Sequence, residues 1–306
     1  MDPLADVLDV SRVGGALFAH VQAHDPWGIE IDGARGAGFH AITAGMCWLR
    51  IEEAPPRQLM PGDIVLLPTG LTHALVSEPG GQAESFDSLA TEQQWTPEGD
   101  LLLPGPGACT RFLCASYDYD HDVAHPLLSL LPPVLHIAAG GPGEPTPLQG
   151  AVRLLTDELG APTPGSRVVI DRLVDVIFVL VVRAWLDGEN ATEASWLRGL
   201  RDPAVARAIA LLHDRPEFPW TVELLAAEVS VSRATLARRF AELVGEPPLR
   251  YLTRWRMDLA ARRLRETTDP LEAIARSLGY TSEFAFSRAF SRMRNESPGR
   301  YRRRAR

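Results

Sequence analysis

Residues 224–251 and 274–301 are one pattern written twice, at a fixed offset of 50 positions. Without a gap, Ser232 falls on Ser282, Arg238 on Arg288, Phe240 on Phe290, Glu246 on Glu296, Pro248 on Pro298, Arg250 on Arg300 and Tyr251 on Tyr301. Apolar positions match in kind, Leu224 with Ile274 and Leu236 with Phe286. Gly245 and Asn295 also coincide, and these residue types best tolerate the left-handed conformation just past a helix end. A repeat of this length means one supersecondary unit used twice. Each copy reads as helix, short turn, helix, with arginine on the outward face of the second helix.

Charge divides the chain in the same place. Residues 1–197 hold 9 Arg and 26 acidic residues, net −17, whereas residues 198–306 hold 22 Arg and 13 acidic residues, net +9. An acidic body carrying a basic tail suggests that the tail alone meets a polyanion. All 31 basic residues are Arg, which suits bidentate contacts to guanine and phosphate. The 306 residues leave room for about two domains. No N-terminal stretch has the layout of a signal peptide. The most apolar run, 168–186, is broken by Asp171, Arg172, Asp175 and Arg183, so it reads as a buried helix and not a membrane span. Three cysteines, an odd number, argue for a reducing cytoplasm and against a disulfide scaffold.

From about Val13 to Tyr119 short apolar stretches alternate with Gly, Pro and Asp, which reads as β structure. Candidate strands are 39–43, 47–51, 63–67, 73–76 and 110–117, and many short strands favour a barrel or jelly roll. The Gly/Pro/Glu-rich stretch 79–107 reads as a surface excursion. Helical periodicity follows over 148–159 and 166–186. The expected fold class is therefore α+β and multidomain: a β-barrel followed by helices, then an all-α C-terminal domain with two helix-turn-helix units joined by a long helix, 249–265. The expected boundaries are 1–190 for the sensing and dimerising body, 191–202 for a linker and 203–306 for the DNA-binding domain.

In the first outward helix Leu236, Phe240 and Leu243 form a buried stripe, and the opposite face holds Ala234, Arg238 and Ala241 with Ala237 beside them. In the second, Phe286, Phe290 and Met293 are the buried set, and Phe284, Arg288 and Ser291 oppose them, flanked by Ser287. An arginine so placed can bridge guanine O6 and N7. Small neighbours let the helix approach the bases, Glu283 can accept from cytosine, and Phe284 can lie against a thymine methyl. The candidate DNA-binding set is Arg233, Ala234, Ala237, Arg238, Glu283, Phe284, Ser287, Arg288 and Arg292. Arg239, Arg250, Arg292 and Arg294 lie off the central faces and read as phosphate contacts or solvated charge.

The tail resembles the AraC/XylS family of bacterial transcription regulators. The resemblance is carried by Leu224-Leu225-Ala226-Ala227, Ser232-x-x-x-Leu236-x-Arg238-x-Phe240, Gly245-x-x-Pro248, Ile274-Ala275-x-x-x-Gly279-Tyr280 and Ser297-Pro298-x-x-Tyr301-Arg302. It covers about 110 residues and implies two helix-turn-helix units entering adjacent major grooves, roughly 34–36 Å apart on one face of double-stranded DNA. It also implies a cupin-type sensor in front, most often an activator that meets RNA polymerase.

In the body, Gly62 to His73 resembles the second cupin motif, with turns at Gly62 and Gly70 and with His73 pointing inward. Phe39-His40 begins a degenerate first motif. A catalytic metal wants three protein ligands and an open position. This pattern offers two, so no cofactor, no metal and no enzymatic activity are expected, and His40 with His73 are the candidates for binding a small effector. The rival from another class is a metal-dependent cupin enzyme tethered to DNA by its tail. A second alternative is a thiol-based redox regulator using Cys47, Cys109 and Cys114; on one strand Cys109 and Cys114 would lie roughly 17 Å apart, so they pair only if Cys109 sits in a folded-back loop. The run Asp118–His125 reads as a polar loop. Finally, the helix over 166–186 carries two apolar stripes, Val169, Leu173, Val176, Ile177 and Leu180 on one and Phe178, Val181 and Trp185 on the other. A second stripe calls for a partner, so a homodimer is expected.

Overall fold

The computed structural model describes residues 3–11, 14–33, 36–91, 95, 100–118, 131–139, 146–161, 163–187 and 199–304. These fall into two compact units. One holds the described residues of 13–119 and 131–190; the other holds those of 191–306 together with the N-terminal helix α1 (Pro3–Ser11).

The first unit contains β1 (Gly14–His24), β2 (Gly28–Ile31), β3 (Ala37–Ala44), β4 (Cys47–Ile51), β5 (Arg57–Leu59) and β6 (Ile64–Leu67). It continues with β7 (His73–Val76), β8 (Glu84–Ser85), helix α2 (Phe86–Thr91), β9 (Asp100–Leu103), β10 (Cys109–Asp118) and β11 (Leu135–Ile137). One sheet has the order β11-β6-β3-β10-β1-β9, the other β5-β4-β7-β2-β8. Val21, Ile42, Val65 and Phe112 of the first sheet share an apolar cluster with Ile29, Leu49, Leu59 and Leu75 of the second. The cluster therefore joins the two sheets, as in a cupin-like sandwich.

The first sheet is covered on its outer face too, which explains why β10 is buried at consecutive positions. Phe112 and Cys114 belong to the inter-sheet cluster, and Tyr117 belongs to the other face. Its hydroxyl donates to the Val174 carbonyl at 2.9 Å, and its ring meets Phe178 at 4.7 Å. Both partners lie on α4 (Ser166–Asp187), which follows α3 (Pro147–Gly160). Thr146 starts α3 with a reciprocal capping box to Gln149 and a proline in the first turn.

The 79–107 stretch, expected as a bare excursion, contains β8, α2 and β9. These elements are too short, and too close to Gly and Pro, to give a periodic signal. Residues 119–125 of the polar run and 191–198 of the expected linker lie outside the described residues. Among the described residues no helix is long and apolar enough to cross a membrane.

Among the described residues the second unit adds seven helices to α1: α5 (Pro203–Asp214), α6 (Val222–Glu228), α7 (Arg233–Val244), α8 (Pro248–Glu266), α9 (Leu271–Ser277), α10 (Glu283–Arg294) and α11 (Pro298–Arg304). Helix α8 serves both halves. Its Tyr251 packs edge-on against Phe240 of α7 at 5.6 Å. Its Ala260, Ala261 and Leu264 share a core with Ile274, Phe286, Phe290 and Tyr301. Several α8 arginines act as struts. Arg256 donates from Nε to the Pro216 carbonyl at 2.5 Å and from Nη2 to the Phe218 carbonyl at 3.0 Å, and Arg265 donates to the Tyr301 hydroxyl at 2.8 Å.

Candidate nucleic-acid interface

The two outward helices start and stop by the same chemistry. Ser232 accepts from the Thr235 amide at 3.1 Å and Ser282 from the Ala285 amide at 3.1 Å. Gly245 and Asn295 close the helices in the left-handed region, with φ of 85° and 56°. Leu236, Phe240, Phe286 and Phe290 are all fully buried. With those faces fixed inward, Arg238 and Arg288 stand at equivalent exposed positions.

The first helices of the two units follow a different offset. Leu225 and Ala226 are the buried pair of α6, and Ile274 and Ala275 that of α9. Their turns carry positive φ at Ser230 and Gly279, 56° and 79°. The Val231 amide donates to the Ala226 carbonyl as Tyr280 does to Ala275. These equivalences differ by 49 positions, not 50, and Thr281 is the extra turn residue. Leu224 is consequently 46% exposed while Ile274 is buried, so the expected match between them fails. A second departure is Met293, expected inside but 37% exposed. The slot that Val244 fills in the first copy is held in the second by Arg294, whose guanidinium pairs with buried Asp258. Arg294 is thus a core strut and not a surface charge.

Arg233, Ala234 and Arg238 are exposed and Ala237 is half-buried on α7. Arg233 pairs with Glu223 at 2.5 Å, and Arg238 with Glu242, one turn on, at 3.0 Å. On α10, Phe284, Ser287, Arg288 and Arg292 line one open concavity, and Glu283 is exposed at the head of the helix. The Arg288 guanidinium lies 5.7 Å from the Phe284 ring centroid. Arg239 reaches Asp202 at 3.4 Å and Arg250 reaches Glu246 at 3.7 Å.

In the barrel unit His40 and His73 are buried with their Nε2 atoms 2.7 Å apart. His73 Nδ1 lies 2.6 Å from the Leu71 carbonyl, which can only accept, so the proton sits on Nδ1. His73 Nε2 then accepts from His40 Nε2–H, and His40 Nδ1 accepts from the Cys114 thiol at 3.1 Å. Burial, and then the neighbouring His73, hold His40 well below the ordinary imidazole value. Burial also lowers His73, against the pull of the Leu71 carbonyl. Both rings are neutral, and every ring nitrogen has a partner. Among the described residues no group of three or more His, Cys, Asp or Glu side chains is arranged to hold a metal. All three cysteines are free. Burial pushes the Cys47 thiol up to about 12, with Asp63 adding to it, and pushes the Cys114 thiol up as well. This disfavours the thiolate that thiol chemistry needs. The histidine pair opens onto a cavity of about 310 Å³.

A cupin family profile matches residues 2–187 and a helix-turn-helix domain profile matches residues 225–304. A putative AraC-like transcription regulator of Streptomyces antibioticus is 37% identical over 303 residues, covering 99% of this chain and 98% of its own. The HTH-type transcriptional regulator MtrA of Neisseria gonorrhoeae is 31% identical over 307 residues, covering 99% and 98%. Among solved structures, the DNA-binding domain of AdpA in complex with a target DNA is 33% identical with a TM-score of 0.32, covering 34% of this chain and 92% of that one. A double helix-turn-helix domain behind a cupin-like barrel defines a DNA-binding transcription regulator. The chain belongs to the AraC-like transcription regulators.

Proposed function

We propose that this regulator is a cytoplasmic homodimer that activates transcription in response to a small molecule, reading DNA through Arg238 and Arg288 and sensing through the cavity beside His40 and His73. The observation that carries the reading is the pair of arginines held at one register on two capped helices, each with its apolar face buried. In this reading Ala234, Ala237 and Ser287 allow close approach, Glu283 and Phe284 read bases, and Arg233 and Arg292 hold phosphates. Its output is DNA occupancy, and RNA polymerase is the partner at activated promoters. Residues 1–190 sense and dimerise, 191–202 link, and 203–306 bind DNA. An effector changes that occupancy only by binding two states of the body unequally.

The dimer reading is supported by α4, whose buried face takes in Val174, Ile177, Phe178, Val181, Val182 and Trp185, while Val169 and Val176 are exposed. Ile177, read in the sequence on one stripe with Val169 and Val176, is buried together with Phe178, Val181 and Trp185. Leu154 of α3 adds a further exposed apolar side chain.

The test is selection of genomic fragments by the full chain at about 150 mM salt, followed by footprinting. Protection of two major-groove segments about 10 base pairs apart per subunit is expected. Protection of a single segment per subunit would refute the double reader.

A further inference from the structure

The two helix-turn-helix units share α8, and they also touch at a second place. The loop 215–220, which leads into α6 of the first unit, lies against the Gly279 turn between α9 and α10 of the second. A Cβ at Gly279 would overlap the Glu217 carbonyl oxygen, so two backbones meet there with no side chain between them. Conformation alone does not call for this glycine. The equivalent turn of the first unit also enters the left-handed region, at φ 56°, and does so with Ser230. What Gly279 adds is room for the loop of the other unit.

Arg256 sits over this junction. From the middle of α8 it donates through Nε to the Pro216 carbonyl at 2.5 Å and through Nη2 to the Phe218 carbonyl at 3.0 Å. The same Nη2 would lie 2.9 Å from a Cβ at Gly279. The guanidinium is 5.8 Å from the Tyr280 ring centroid, and Tyr280 packs edge-on against Phe286 of α10, also at 5.8 Å. The loop it grips is stiff in itself, since the Phe218 amide and Trp220 Nε1 both donate to the Arg215 carbonyl, at 3.2 and 3.1 Å. One planar fork thus ties the loop of one unit to the turn of the other. Units packed on a shared helix alone can still rotate slightly about its axis. A second attachment off that axis removes the rotation. Such a rotation matters on DNA, where each base pair turns the groove by about 34–36° and advances it by about 3.4 Å.

We propose that Arg256, seated over the Glu217–Gly279 contact, is a positioning residue that fixes the angle and distance between the two reading helices, so that the chain selects sites by the spacing of their two segments as well as by their bases. The proposal rests on the reading of α7 and α10 as the two readers.

The test compares the best-bound fragment from the genomic selection with the same fragment carrying one inserted base pair between its two protected segments. The full chain should bind the inserted site at least about tenfold more weakly. In Arg256→Met, which keeps the apolar stem and loses both donors, the penalty should fall below about threefold. Gly279→Ala, which pushes the two backbones apart, should lower it likewise. The cost of deforming each DNA is common to all the proteins and cancels between them. A loss of folded protein cancels in the ratio of the two sites, so a merely structural role would leave the penalty where it was. An unchanged penalty in either folded variant would overturn the proposal and leave the two readers intact. So would a full chain that binds both fragments equally while protecting two segments on each. Unfolding of both variants, followed by far-UV circular dichroism, would overturn it by making the contact one that holds the fold. A single protected segment, or none, would overturn the reading of the two helices and the proposal with it.

Discussion

Asp6 and His213 are separated by 207 positions and meet at 3.2 Å, carboxylate to Nδ1. The His213 ring stacks on Trp255 at 3.9 Å, and its Nε2 lies 2.8 Å from the Tyr251 hydroxyl. With Nδ1–H donating to Asp6, Nε2 accepts from the hydroxyl. One buried imidazole therefore joins the first helix of the chain to α5 and α8. Asp6→Ala leaves its buried donor unsatisfied and should destabilise the C-terminal unit by about 1–2 kcal/mol. Asp6→Asn, which keeps an acceptor oxygen, should recover most of that in urea unfolding.

Stability should fall as the medium is acidified below neutrality. Burial lowers His40, His73 and His213 in the fold. The unfolded chain takes up protons near pH 6.5 that the folded one refuses, so the stabilisation is full above that pH and is lost below it. Each ring adds a slope of up to about 1.4 kcal/mol per pH unit. Asp258, pushed up to about 6 by burial, works the other way over the same range. For Asp63, burial works upward but is outweighed by the Met60 and Ala139 amides and His136, so it matters only below about pH 4. His40 and His73 lie in the barrel unit and Asp258 in the helical one, so the urea midpoint of the barrel unit should drop from pH 7 to pH 5. His73→Asn should flatten that profile.

Arg238→Ala and Arg288→Ala should each cost about 1–3 kcal/mol at cognate sites and spare binding to random DNA. The pair that Arg238 makes with Glu242 is exposed and worth only about 0.3–0.5 kcal/mol, so it yields to a guanine. Equal losses on random DNA, measured by competition at fixed salt, would reassign both residues to phosphate.

Arg294→Ala should behave as a folding variant. It leaves Asp258 buried with only Arg254, 3.7 Å away, so a loss of about 3 kcal/mol is expected in urea unfolding. Phe284→Ala is the contrasting case. At 72% exposure its removal should leave stability within about 0.5 kcal/mol while weakening DNA binding.

Val169→Glu with Val176→Glu places charge on the uncovered face of α4. Light scattering at micromolar concentration should then report a monomer where the unmodified chain is a dimer; an unmodified chain that is itself monomeric would remove the dimer reading.

The repeat of 50 positions already located both outward helices, the matching serines that precede them, their left-handed stops and the two equivalent arginines. These features depend on residues within three or four positions of one another, so the order of the side chains suffices to specify them. The cupin-like turns at Gly62 and Gly70 were legible for the same reason. The one-residue insertion at Thr281 was not, because an ungapped comparison scores residue kinds and cannot see which carbonyl an amide reaches. Nor could composition divide the arginines: Arg238 and Arg294 are the same residue on similar helices, and only the packing of α8 leaves one in an exposed pair with Glu242 and makes the other a core strut. The His40–His73–Cys114 chain and the Asp6–His213 contact are likewise products of tertiary structure. Periodicity tells which face of an element is buried, but what covers that face is decided where distant segments meet, and there burial and hydrogen bonding set the charge of each group.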